Sequence, residues 1–130
     1  TFIATLSLLL KKSMKILSFI EKGIDCFDSI YPTQNARHNA LFTSTGTICI
    51  EKQEYAHDFT SIEPGCGCHT CQNYTKAYLY HLVKIKEPVA MRLQSIHNLF
   101  FVLKLVEDAK KAIKEKRFAE FKKEFSSRFN

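Results

Sequence analysis

The start of the sequence lacks both signals that would direct it to a membrane. Its apolar run at residues 2–10 is too short for a spanning helix, which needs about 20 residues, and no positive charge precedes it as one would in a secretory signal. Lys11 and Lys12 follow the run instead. An initiating methionine is also missing, and an opening on Thr1 reads as a fragment or an incomplete reading frame. Glycine (four) and proline (three) are scarce, so no linker rich in either divides the 130 residues, a one-domain length whose 45% hydrophobic content can fill a core. Acids are outnumbered, 13 against 19 Lys and Arg, and the net charge of +6 suits a nucleic-acid partner without establishing one. Cysteine outside one cluster is limited to Cys26 and Cys49. Each lies in an apolar, strand-like run and reads as a small core hydrophobe in a reducing compartment, which points to a cytoplasmic protein with no membrane partner.

What is present is concentrated in Cys66-Gly67-Cys68-His69-Thr70-Cys71, a Cys-x-Cys-x2-Cys pattern followed by His97 on a predicted helix. A tetrahedral Zn2+ takes thiolate and imidazole ligands at about 2.0 to 2.3 Å, and a Gly-containing loop can gather three sulfurs while a helix brings the fourth donor. Three thiols and one imidazole close the site, so one structural zinc is expected rather than a catalytic one. The competing reading is a disulfide framework with a packed core histidine. Cys-x-Cys spacing is awkward for a bridge, and the absence of a secretory signal argues the same way. His69 and His81 remain rival fourth ligands. His69 sits between two sulfurs, and His81 about two turns into the following helix.

Along the chain, Met14, Ile16, Leu17 and Ile20 recur at helical spacing, with Gly23 where a C-terminal cap belongs. Residues 24–32 are β-prone and end on Pro32, which predicts one short buried strand with Asp28 near its C-terminal end. Helix, strand and polar loop in succession is the rhythm of an α/β protein, where the ends of parallel strands carry the chemistry. The loop predicted at Thr33-Gln34-Asn35-Ala36-Arg37-His38-Asn39 offers amide and guanidinium donors for phosphates or base edges. The plainer readings are a carboxylate satisfied by backbone N–H groups and a solvated turn. A hairpin is predicted from two alternating runs, 40–43 and 47–51, around Ser44-Thr45-Gly46. Residues 52–65 need no regular element. Asn73 or Thr75 caps a helix closed by Pro88, and a longer helix runs over 89–116 with Leu93, Ile96 and Phe100 on one face beside His97. Phe118, Phe121 and Phe125 mark a docked C-terminal helix whose Lys-Lys pair reads as a solvated face.

Gly23-Ile24-Asp25-x-Phe27-Asp28, Pro32-Thr33-x-Asn35-Ala36-Arg37, Leu41-Phe42-Thr43, Cys66-x-Cys68-x2-Cys71, Asn73-Tyr74, Ala77-Tyr78-Leu79-x-His81-Leu82 and Ile96-His97-Asn98-Leu99 together resemble the C-terminal third of the queuine tRNA-ribosyltransferases, the tRNA-guanine transglycosylases. The resemblance covers about residues 16–125, in order and with compatible spacing. It implies an α/β, helix-rich chain: the C-terminal part of a (β/α)8 barrel with an inserted zinc-binding subdomain. It also implies exchange of the anticodon wobble guanine of a tRNA with a G-U-N anticodon for a 7-deazaguanine base. Asp28 matches the nucleophile that forms a covalent ribose intermediate, Thr33, Gln34, Asn35, Ala36 and Arg37 match the RNA-recognition segment, and Cys66, Cys68, Cys71 and His97 match the zinc ligands. A homodimer is a further implication.

The domain division expected is an unmatched stretch at 1–15, a barrel remnant at 16–39, a zinc-binding subdomain with its long helix at 40–116, and a C-terminal helix at 117–130. Gln34 stands where the family usually has Arg, Asn39 near a usual Gly, and Pro88 in a segment usually free of Pro. The unmatched start suggests the 3′ part of a disrupted or truncated gene with a frame change near residue 15. On that reading residues 16–39 expose a face that neighbouring strands should cover, and are expected to be disordered or sticky. The alternative function is a catalytically silent zinc-binding remnant or partner subunit with an RNA-binding or structural role.

Overall fold

The computed structural model describes residues 3–5 and 14–128. Two small sheets and six α-helices are described: β1 (Ile3–Thr5), α1 (Met14–Glu21), β2 (Cys26–Asp28), α2 (Tyr31–Arg37), β3 (Ala40–Thr43), β4 (Gly46–Cys49), α3 (His69–Asn73), α4 (Lys76–Lys84), α5 (Val89–Lys114) and α6 (Phe118–Arg128). The helix-rich α/β expectation holds. The described strands form a parallel pair and a hairpin, not a closed barrel.

α1 ends as its glycine predicts. Gly23 adopts φ +85°, its N–H reaches Ile20 O at 3.0 Å, and Ile24 N reaches Phe19 O at 3.1 Å, the paired bonds of a left-handed helix stop. The reversed chain then lays β2 parallel to β1, with Ile3 opposite Cys26 and Thr5 opposite Asp28. This strand is shorter than the run 24–32, and it is not buried: Cys26 and Asp28 are exposed and Phe27 is half-buried. Pro32 is the reason. Taken as the end of a strand, it instead sits in the first turn of α2, where its missing N–H costs nothing and its fixed φ favours the helix. The polar segment after it is therefore a helix and not a loop. Cys49 is half-buried, so neither isolated cysteine is a core residue.

The hairpin forms with Thr43 opposite Gly46 and Ser44-Thr45 at its tip, and the Thr43 hydroxyl donates to Gly46 O at 2.7 Å. In the segment 52–65 a single 3-10 turn, Gln53–Tyr55, breaks the irregular course. Asp58 then accepts from the Thr60 N–H at 3.0 Å and hydroxyl at 2.5 Å, while Lys76 Nζ approaches its other oxygen at 3.0 Å. The Thr60 bonds first, and the Lys76 ammonium after them, lower the carboxyl to about 2. Thr75 caps α4 by accepting from Tyr78 N.

Three apolar clusters hold these elements. Leu41, Ile50, Ile62, Leu79, Leu82, Ala90 and Leu93 form the largest, between the hairpin, α4 and the start of α5. α1 is not left bare, as a lone helix–strand unit would be. Leu17 packs with Leu105 and Ala109 against Phe118, Phe121 and Phe125 of α6, and Ile16 meets Phe27, Tyr31, Val102 and Val106. α5 is thus the spine of the structure, in contact with α2, α3, α4, α6 and β3. By length and composition it could cross a membrane, yet it buries Gln94, His97 and Asn98 among these partners, as a core helix does.

Candidate metal centre

The loop before α3 turns at Gly65, which adopts φ +76°. Cys66, Cys68 and Cys71 follow, and Cys68 caps α3 with its sulfur, accepting from Cys71 N at 3.3 Å. The short α3 was not foreseen, and it explains the Cys-x2-Cys spacing: one helical turn brings both sulfurs to one side. Two further bonds anchor the loop. Gln72 Nε2 donates to Cys66 O at 2.8 Å, and the buried Thr70 hydroxyl donates to Leu93 O of α5 at 2.6 Å.

α5 supplies the fourth donor. His97 is fully buried, and its Nδ1 lies 4.0, 3.5 and 3.4 Å from the sulfurs of Cys66, Cys68 and Cys71. All four donor atoms fall within 4.8 Å of one another. A tetrahedral zinc with sulfur at about 2.3 Å and nitrogen at about 2.0 to 2.1 Å requires N···S edges of about 3.6 Å. The observed distances bracket that value, so the donor set and its N···S distances suit zinc. The other ring nitrogen, Nε2, donates to Phe42 O at 2.7 Å, which fixes the proton there and turns the Nδ1 lone pair towards the thiols. His69 and His81 are exposed and outside the group, and His97 is the histidine that the group contains.

The electrostatics show what such a cluster needs. Burial, and then the neighbouring thiols Cys68 and Cys66, push Cys71 up to about 12; burial likewise raises Cys66. Burial lowers His97, favouring the neutral imidazole that a metal requires. Three adjacent thiolates are stable here only beside a cation.

The glycines of the loop differ in what they do. A Cβ at Gly67 would meet Phe100 Cζ at an ordinary 3.6 Å, whereas Gly65 holds a left-handed φ. Gly65→Ala should destabilise the protein by about 1–2 kcal/mol, and Gly67→Ala should stay within about 0.5 kcal/mol. Urea unfolding of both variants at equal zinc checks the contrast.

The remaining predicted residues lie elsewhere. Asp28 ends β2, exposed, and is not among the metal donors. On α2, Gln34 and Arg37 are exposed, Ala36 is fully buried, and Thr33 and Asn35 bond back to Ile30 O and Tyr31 O. The face predicted for α5 is shifted: Phe100 is 37% exposed, and Gln94 and Asn98 take the inward places beside His97. Apolar periodicity could not find those two. Two clefts, of about 430 and 570 Å3, open beside the hairpin tip and the cysteine loop, and Asp28 lines neither.

A family model described as Queuine tRNA-ribosyltransferase matches residues 10–130, reaching further at both ends than the motif-based span of 16–125. The queuine tRNA-ribosyltransferase of Helicobacter acinonychis (strain Sheeba) is 52% identical over 114 residues, which cover 88% of this chain and 31% of the relative. That of Fusobacterium nucleatum is 45% identical over 114 residues (88% and 31%), and that of Thermodesulfovibrio yellowstonii 47% identical over 110 (85% and 29%). The chain therefore spans about 30% of the length of these curated relatives. With nearly its whole length matched, and with the cysteines and histidine drawn into one group, the chain belongs to the queuine tRNA-ribosyltransferase family.

Proposed function

We propose that the chain is the C-terminal part of a tRNA-guanine transglycosylase that replaces the wobble guanine of a G-U-N anticodon with a 7-deazaguanine base. The observation that carries this reading is the placement of Asp28 at the C-terminal end of a strand paired in parallel, followed at once by α2 with Gln34 and Arg37 exposed. Strand ends of this kind are where barrel enzymes keep their reacting groups. The Asp28 carboxylate attacks C1′ of the ribose as the bond to guanine N9 breaks, and guanine leaves with the electron pair and takes up a proton. The incoming base then attacks C1′ through its own ring nitrogen, gives up the proton which that nitrogen carried, and displaces the carboxylate as the bond from Asp28 to C1′ breaks. The guanine must be turned out of its stack to be reached. Exposed Arg37 suits phosphate or base-edge contact and Gln34 suits an amide contact. Thr33, Asn35 and Ala36 shape the helix that presents them.

Cys66, Cys68, Cys71 and His97 would hold one structural zinc, whose positive charge supports the thiolates and joins the loop to α5. The reading places the protein in the cytoplasm, with a homodimer as its assembly. A second reading, a silent zinc-binding module or partner subunit, is favoured by the position of the two clefts away from Asp28.

Incorporation of labelled guanine into an unmodified tRNA with a G-U-N anticodon distinguishes them. Exchange by this chain that vanishes in Asp28→Ala, with a covalent RNA adduct on denaturing gels lost in the same variant, is the expected result. Exchange undiminished by the substitution would remove Asp28 from the chemistry. No exchange in either protein, each with one zinc bound, would favour the silent module.

A further inference from the structure

α2 has little of its own to hold it in place. It is seven residues long and its N-cap, Ile30, contributes no side-chain bond. A helix this short is not stable by itself and takes its position from its surroundings. Among those surroundings one buried polar side chain stands out. Asn98, which follows the metal-site histidine on α5, is 0% exposed, and both its amide hydrogens and its carbonyl oxygen are engaged across elements. Nδ2 donates to Pro32 O, in the first turn of α2, at 3.0 Å and to Ala40 O of β3 at 2.9 Å; Oδ1 accepts from Phe42 N at 3.0 Å.

His97 binds the same strand from the neighbouring position through Phe42 O. Consecutive residues of α5 thus grip both backbone groups of Phe42, and the second of them extends the grip to α2. An aliphatic residue at 98 would leave two carbonyls and an N–H without these partners, so the amide has a directional task that packing does not require.

We infer that Asn98 is a positioning residue, which sets the place of α2, and with it Gln34 and Arg37, relative to the helix that carries His97. The inference rests on the proposed reading only in taking α2 as the RNA-facing element. Its test is built so that the two can fail separately.

Hydrogen exchange of the zinc-loaded chain is compared with Asn98→Ala and the milder Asn98→Ser, alongside zinc content. The expected result is exchange of the amides of α2 and its C-terminal cap, Gln34 and His38 among them, faster by about tenfold or more, while Leu79 and Leu82 of α4 stay within about twofold and zinc remains at one per chain. Unchanged exchange in α2 would overturn the inference. So would loss of zinc with equal acceleration in α2 and α4 in both variants, because Asn98 would then be a general core residue. Affinity for an anticodon stem-loop RNA supplies the second arm. A rise in Kd of about tenfold, in step with the local exchange, supports the whole sequence from Asn98 to RNA. Local exchange with unaltered RNA affinity leaves Asn98 as the positioner and removes α2 from the RNA contact.

Discussion

Chelation of zinc should melt the region from residue 60 to 116, seen as a large loss of helical circular dichroism in step with metal release. The cysteine loop is tied to α5 chiefly by the donor group itself and by the Thr70–Leu93 bond. Without a cation Cys71 reverts to the thiol, since burial pushes it up to about 12. The apparent free energy of structural zinc in small peptides is about 10–16 kcal/mol, as large as the whole stability of an ordinary domain, about 5–15 kcal/mol. His97→Ala should act in the same direction by losing both a metal donor and the hold on Phe42 O. Helicity that survives complete metal removal would show that the apolar core suffices without the centre.

Phe42→Ala should destabilise the zinc-loaded protein by about 3–5 kcal/mol, the usual range for a large aromatic removed from a packed core. Phe42 is 0% exposed, stacked on Tyr31 of α2 at 5.4 Å between ring centroids, and tilted against Phe101 of α5 at 6.1 Å. Its ring fills the space between the same two helices that its backbone joins through His97 and Asn98. Phe59 is the control. At 74% exposed it should change stability by no more than about 0.5 kcal/mol on substitution by Ala. Equal effects from the two variants in urea unfolding at fixed zinc would contradict this account of the core.

The metal centre was the most legible part of the sequence because its signal is local. Three cysteines within six residues, and a histidine on the inward side of a periodic helix, leave few other arrangements. The hairpin, the Thr75 cap, the glycine stop after α1 and the docking of the C-terminal phenylalanines were readable for the same reason. α2 was misread because Pro32 can end a strand or begin a helix, and its polar neighbours carry too little apolar periodicity to choose. The tertiary support from Tyr31, Pro32 and Ala36 chooses for them. Cys26 looked like a core residue because its run is apolar, yet the described strands give that run one parallel neighbour and leave Cys26 exposed. Asn98 stood in the sequence only as part of the motif Ile96-His97-Asn98-Leu99, and its task gave no signal of its own, as a buried amide is marked only by the partners that the fold brings to it.

A metal bound at this group would also change the topology of the chain. Cys66 and His97 are 31 positions apart, and α3, α4 and the first turns of α5 lie between them. A metal held by both ends closes this span into a ring. A covalent cross-link around a loop of this length removes chain entropy worth about 3–4 kcal/mol from the unfolded state. The centre would act as a staple formed by coordination instead of oxidation, and its closure would be reversed by a chelator rather than by a reductant.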